Sequence, residues 1–299
     1  MKNISFRMLL LVLIVLSSHF AHAGITDALK PVKLASGMKF TEGPAWNADG
    51  YVVFSDIDGN VLYKWSESGG LDTLAYPSGN SNGIICTGKN SFLVCHQGSR
   101  NISSMTADGK LTSFVATYKG KRFNSPNDLE ISKKGLIYFS DPDFGQNTRS
   151  RELPYQGFYV IPAGLKEPIL LDSTLNWPNG VAFFDDQQVV YLCESKTNNI
   201  YAYTLNAKGL VDDLSRDKKL FVKVSGNGLA DGLVSDGRGH LFVAFNKGGI
   251  KVFDKQANEI GQIASPNGED VRNLCIGGKE GKTLFVTAGK SLYKIELTY

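Results

Sequence analysis

The sequence predicts an all-β protein, a six-bladed β-propeller of four-stranded antiparallel blades closed by an N-terminal strand that completes the last blade. Three observations carry this expectation. Glycine is abundant, at 32 of 299 residues, so turns are frequent and helices few. One short polar pattern recurs six times along the chain, at blade spacing. A short apolar strand then ends 13 or 14 residues after the key residue of each copy.

Before the first copy, Lys2 and Arg7 flank an apolar run from Met8 to Leu16, followed by Ser17, Ser18 and Ala21-His22-Ala23. This is the layout of a secretory signal cleaved after Ala23, so residues 1–23 are expected to be removed and 24–299 to form a single propeller domain in the periplasm or outside the cell. Nine apolar residues rise only about 14 Å as a helix, too little to span a hydrocarbon core of roughly 30 Å. Pro31 to Phe40 then supplies the strand that the last unit lacks.

The copies are Thr41-Glu42-Gly43, Ser81-Asn82-Gly83, Pro126-Asn127-Asp128, Pro178-Asn179-Gly180, Ala230-Asp231-Gly232 and Arg272-Asn273-Leu274, whose central residues lie 40, 45, 52, 52 and 42 residues apart. After each come a turn and an apolar strand: Tyr51 to Ser55, Ser91 to Cys95, Leu136 to Ser140, Val189 to Cys193, His240 to Ala244 and Thr283 to Thr287. Each unit therefore opens with a hairpin. Third strands follow, such as Val61 to Trp65, Phe158 to Ile161, Ile200 to Tyr203, Lys251 to Phe253 and Leu292 to Ile295, and most units add a fourth, such as Leu220 to Val224. Units of about 46 residues that cannot bury both faces alone stack naturally around an axis. A sandwich or an open solenoid is the structural alternative.

Without Lys2 and Arg7 the mature chain carries 30 basic and 29 acidic residues, a net charge of +1. That balance gives no electrostatic case for nucleic acid or an anionic membrane, and points to a small-molecule partner. Cys86, Cys95, Cys193 and Cys275 lack the density of a disulfide scaffold and read as buried apolar positions.

The first strand of a propeller blade lines the central channel, so Glu42, Asn82, Asn127, Asn179, Asp231 and Asn273 are expected to meet in a ring at one mouth. Asp56, His96, Asp141 and Glu194, just past the second strands, form a second layer. Asn-Gly and Asp-Gly are common turn dipeptides. A turn does not account for Glu42-Gly43-Pro44 or for Asn127-Asp128, where the shared property is a side-chain oxygen. Two carboxylates and up to four carboxamides suit a hard cation, and Ca²⁺ fits better than Mg²⁺, which demands tighter octahedral geometry. Zinc is disfavoured, since only His96 and His240 remain after residue 23 and no cysteine pair has ligand spacing.

Other signals are weaker. Gly79-Asn80-Ser81-Asn82-Gly83 fits the G-x-S-x-G string but precedes a β-hairpin rather than forming a strand-to-helix elbow. His96, near the mouth, is a candidate for proton transfer or hydrogen bonding to neighbours. His240 and the pairs Lys133-Lys134 and Lys218-Lys219 read as structural or solvated surface.

Taken together, Glu42-Gly43-Pro44, Ser125-Pro126-Asn127-Asp128, Tyr138-Phe139-Ser140-Asp141-Pro142, Pro178-Asn179-Gly180, Ala230-Asp231-Gly232, and Gly277-Gly278 before Thr283-Leu284-Phe285-Val286-Thr287 resemble the gluconolactonase and regucalcin-like (senescence marker protein) family of six-bladed propellers. The likeness runs over nearly the whole mature chain. It implies a divalent metal, usually calcium, held by Glu42, Asn179 and Asp231, with Asn127 at the metal or the bound substrate. It further implies hydrolysis of lactones, with Asp231 as base or nucleophile. Asn82, His96 and Asn273 then remain as substrate-binding or surrounding residues. Regucalcin-like members carry an arginine where this chain has Ser125, so their sugar-acid specificity does not carry over. Two other readings stay open: a propeller that only binds a sugar or peptide around a structural calcium, and a phosphotriesterase-like hydrolase. A second calcium near Asp141 and Asp143 is a further open point.

Overall fold

The structure, a computed structural model, describes residues 29–145, 151–184 and 187–298. The signal-peptide reading of residues 1–23 lies outside them.

After β1 (Val32–Ser36) come six sheets in chain order. Blade one holds β2 (Thr41–Asn47), β3 (Tyr51–Asp56), β4 (Val61–Ser66) and β5 (Gly70–Ala75). Blade two holds β6 (Ser81–Gly88), β7 (Ser91–His96), β8 (Asn101–Thr106) and β9 (Leu111–Val115). A small hairpin of β10 (Thr117–Tyr118) and β11 (Lys121–Arg122) leads to blade three, with β12 (Leu129–Ile131), β13 (Ile137–Asp141), β14 (Gly157–Ile161) and β15 (Ile169–Asp172). Blade four is β16 (Pro178–Phe183), β17 (Val189–Glu194), β18 (Asn199–Thr204) and β19 (Lys218–Lys223). Blade five is β20 (Ala230–Ser235), β21 (Leu241–Phe245), β22 (Gly249–Phe253) and β23 (Glu259–Ile263). Blade six has only three strands of its own, β24 (Val271–Gly277), β25 (Thr283–Ala288) and β26 (Ser291–Glu296), and takes β1 as its outer strand.

The propeller expectation is therefore borne out, including the closure. β1 pairs antiparallel with β26, Val32 opposite Lys294 and Ser36 opposite Ser291. Glu269 fastens the join, accepting hydrogen bonds from the Tyr293 hydroxyl at 2.6 Å and Lys33 Nζ at 3.2 Å. Sealing the first and last strands into one sheet leaves no blade with an unsupported face.

Apolar side chains fill the gaps between blades rather than a single central core. One cluster joins blades one and two through Val53, Leu62, Ile84 and Val94, and another joins three and four through Tyr138, Phe158, Val190 and Leu192. At the closing interface Trp46 of blade one stacks on Phe285 of blade six, centroids 5.2 Å apart and planes 11° from parallel. Cys95 and Cys193 are fully buried, Cys86 and Cys275 partly so, and all four are free thiols. Lys218 departs from its reading as solvated surface: its Nζ donates to the buried Asp172 at 2.7 Å and lies 4.3 Å from the Tyr201 ring centroid.

The recurrent glycine has a packing cause. A Cβ on Gly83 would stand 2.6 Å from the backbone oxygen of Asn127, and one on Gly180 would stand 2.5 Å from that of Asp231. The inner strands crowd the axis so closely that Gly83 and Gly180, each following a mouth residue, face the backbone of the next blade at distances only glycine tolerates. Gly180→Ala is expected to destabilise the fold by about 2–4 kcal/mol, read as a lower urea midpoint.

Candidate active site at the channel mouth

Each inner strand enters at the same end. Its first residue pairs with the last residue of the second strand, as in Thr41 with Asp56, Ser81 with His96, Pro178 with Glu194, Ala230 with Phe245 and Val271 with Ala288. A bulge follows in every one of these strands, and a bulge re-aims the side chains beside it. Glu42, Asn82, Asn179 and Asp231 come immediately after the first paired residue. In blade three Asn127 precedes β12 and donates its backbone N–H to Ser140 O at 3.0 Å. These five residues line one cavity of about 300 Å³, walled by Phe40, Phe144, Trp177 and Leu229.

The sixth member of that wall is Arg272, where the sequence points to Asn273. Asn273 occupies the glycine position instead: its Cα would be 2.9 Å from a Cβ on Gly232, just as the Gly232 Cα would be 2.8 Å from a Cβ on Gly180. Its side chain lines a second cavity further along the inner strands, where its Nδ2 donates to Asp128 Oδ2 at 3.4 Å. The displacement comes from a longer hairpin: Val271 pairs with Ala288, whereas Pro178 pairs with Glu194 and Thr41 with Asp56, so counting back from the second strand lands one residue late.

Electrostatically the mouth is under tension. Glu42 and Asp231 are 5% and 7% exposed. Burial pushes the Glu42 carboxyl well above its usual range and the negative charge of Asp231 pushes it further, while the Gly43 N–H and Arg272 pull it back. Burial raises Asp231 to about 7, against the pull of Arg272 and of a hydrogen bond from Asn179. The Asn179 amide also donates to Ser195 Oγ at 3.1 Å, and Ser195 in turn donates to Ala230 O at 2.6 Å. Asn82 Oδ1 is buried with no hydrogen-bond partner among the described residues. Two crowded carboxylates and an unpartnered amide oxygen are the donor chemistry of a hard cation. Among the described residues no three His, Cys, Asp or Glu side chains cluster as a metal site, so amide oxygens have to complete any such set.

The second layer has a structural role. Asp56 accepts from the N–H groups of Lys39 and Phe40, both at 2.9 Å, and Asp141 from those of Asn124 and Ser125 at 2.9 and 2.7 Å. Glu194 accepts from Asn176 N at 2.8 Å. Each of these side chains, at the end of a second strand, ties down the loop that feeds its own blade's inner strand, satisfying backbone groups that would otherwise be orphaned. Asp141 is committed in this way, and Asp143 pairs with Arg151 at 3.2 Å, so neither carboxylate stands free for a second cation. Ser81 of the G-x-S-x-G string is fully buried and bonds Ser78 Oγ at 3.1 Å.

His96 belongs to the same layer and does not line the cavity. Its Nδ1 lies 2.8 Å from Ser78 O, which makes Nδ1 the protonated nitrogen, and its Nε2 is buried without a partner among the described residues. Burial lowers its pKa to about 4. The unfolded chain therefore takes up a proton near pH 6.5 that the folded chain refuses until about pH 4. Stability contributed by neutral His96 is full above pH 6.5 and is lost as pH falls through that window, by about 3 kcal/mol. His96→Gln is expected to flatten the stability profile between pH 6.5 and 4 in urea titrations.

A propeller whose six inner-strand mouth positions bring two carboxylates, three carboxamides and an arginine to one cavity belongs to the class that builds a ligand site on the axis. The chain is a member of the SMP-30/gluconolactonase/LRE-like family, whose profile matches residues 40–290. It is 33% identical over 297 residues to the gluconolactonase of Zymomonas mobilis, covering 91% of this chain and 82% of that one. Its fold superposes on a gluconolactonase structure from Xanthomonas campestris with a TM-score of 0.84 at 29% identity, over 94% of both chains. The calcium-binding regucalcin of Agrobacterium tumefaciens shares the fold, with a TM-score of 0.74 at 19% identity over 89% of this chain and 95% of that one.

Proposed function

We propose that this chain is an exported calcium-dependent hydrolase that opens the ring of a sugar lactone at the channel mouth. The observation that carries the reading is the pair of buried carboxylates, Glu42 and Asp231, facing one cavity that is also lined by the carboxamides of Asn82, Asn127 and Asn179. Kinship with gluconolactonases supports the reaction class. Glu42, Asn179 and Asp231 would hold the ion, with Asn127 beside it or at the substrate. When bound, the cation supplies a Lewis acid for the lactone carbonyl, worth several kcal/mol in such a site.

The chain's own residues do the rest. Asn82 and Asn127 offer amide groups to ring oxygens and hydroxyls, and the aromatic walls from Phe40, Phe144 and Trp177 exclude water from the sugar faces. Asp231 acts as the proton acceptor for the attacking water or as the nucleophile itself. A carboxylate that ligates a cation is a weak base, which favours direct attack. Export, directed by residues 1–23, places the site where calcium is plentiful enough to fill weak extracellular sites of roughly 10⁻⁴ to 10⁻³ M affinity.

The test is acid release from a panel of sugar lactones in weakly buffered indicator solution, with and without a chelator. Turnover of at least one lactone, abolished by chelation and restored by Ca²⁺, is the expected result. Absence of turnover on every lactone, ester and phosphotriester would leave a binding propeller and sink the enzyme reading.

A further inference from the structure

The mouth ring is uneven in charge. In rotational order its residues are Glu42, Asn82, Asn127, Asn179, Asp231 and Arg272, so the one cationic position lies between the two acidic ones and the three carboxamides make up the opposite half. Arg272 is held in place from two sides. Its guanidinium sits 4.6 Å from the centroid of the Phe40 ring, and its Nη2 donates to Asp270 Oδ2 at 3.1 Å. Asp270 is itself 35% exposed and screened by water. The Arg272 Nε is buried and has no hydrogen-bond partner among the described residues.

The charge count gives this arrangement a direction. With both buried carboxylates ionised, Glu42, Asp231 and Arg272 sum to −1, and a divalent cation brings the buried ring to +1. Asp58, which also lines the cavity, is exposed and screened by water. Beside apolar walls, a buried ring with a surplus positive charge attracts an anion. A neutral lactone carries none, whereas the acid formed by ring opening does. An arginine fork fixed over an aromatic face, with an N–H left over, matches a carboxylate in shape as well as charge.

Resting on the calcium lactonase reading above, we propose that Arg272 forms an anion subsite for the carboxylate of the ring-opened acid, making it a specificity-determining residue of the same mouth. The acid product is then held more tightly than a neutral polyol of the same length, and it inhibits the forward reaction.

Calorimetric titration tests it on the intact protein at pH 8, using Ca²⁺ alone, then D-gluconate and D-glucitol on the calcium-loaded protein, for wild type, Arg272→Gln and Arg272→Lys. Thermal melts check that the variants fold. In wild type, gluconate is expected to bind at least about tenfold more tightly than glucitol. Arg272→Gln brings gluconate to within about twofold of glucitol, and Arg272→Lys, which keeps the charge but loses the fork, falls between. Ca²⁺ itself binds Arg272→Gln at least as tightly as wild type, because a cationic neighbour is gone. Normal calcium uptake with undiminished gluconate affinity in Arg272→Gln overturns the subsite alone. A wild-type protein that takes up no calcium overturns the calcium reading, and the charge count falls with it.

Discussion

Asp231→Asn is expected to cost at least about 10²-fold in lactone hydrolysis and, in the metal-free protein, to make the fold more stable. The two effects share one cause. Asp231 is buried, and burial lifts its carboxyl to about 7, so the folded protein holds a proton there that the unfolded chain has already lost near pH 4. Stability is therefore drained as pH rises through that window, and the penalty is complete above about pH 7. An asparagine keeps the shape and removes the charge, together with its repulsion of Glu42. The gain should reach about 2–4 kcal/mol at pH 8 and vanish near pH 4. Melting curves in chelator at the two pH values read the stability, and initial rates with saturating calcium read the chemistry. A variant with full activity and normal metal occupancy would remove Asp231 from the reaction. A site that stores instability until its ligand arrives is the usual exchange of stability for function.

Most of the architecture was legible because each blade repeats the same local physics. The expected second strands from Tyr51 and Val189 end one residue short of the observed Asp56 and Glu194, and the strand completing the last blade lies within the expected Pro31 to Phe40. Five of the six mouth residues are where the pattern places them. The sixth was lost to a hairpin longer overall than the others: no periodicity distinguishes Arg272 from Asn273, and only the stacking of Asn273 on Gly232 across two blades reveals which one faces the cavity. The glycines also carry a meaning that sequence alone misassigns, since Asn-Gly reads as a turn while Gly180 is required by the neighbouring strand's backbone. The aromatic wall was illegible for a similar reason. Phe40, Phe144 and Trp177 come from loops of three different blades and share no spacing. The Asp56, Asp141 and Glu194 layer was placed correctly by the repeat, but its work is to hold loop N–H groups, a role that position does not announce.

Calcium uptake is expected to expel protons, and Glu42→Gln to reduce both the uptake and the expulsion. Glu42 is held toward its protonated form by its burial, by the charge of Asp231 beside it and by that of Asp128, and only the Gly43 N–H and Arg272 oppose them. A cation needs both carboxylates ionised, so its binding displaces whatever proton the pair still shares. Protons should leave at pH 7, where Asp231 is still partly protonated, and progressively fewer as pH rises and the pair ionises unaided. Titrations in two buffers of different ionisation enthalpy give the number directly. Glu42→Gln removes one charge from the donor set and should weaken calcium by at least about tenfold, with proton release falling to what Asp231 alone still holds, because burial keeps its carboxyl at about 7. Equal proton release in wild type and Glu42→Gln would mean that the ion does not sit between these carboxylates. Their mutual repulsion would then be an unrelieved cost of the fold rather than the driving force for filling the mouth.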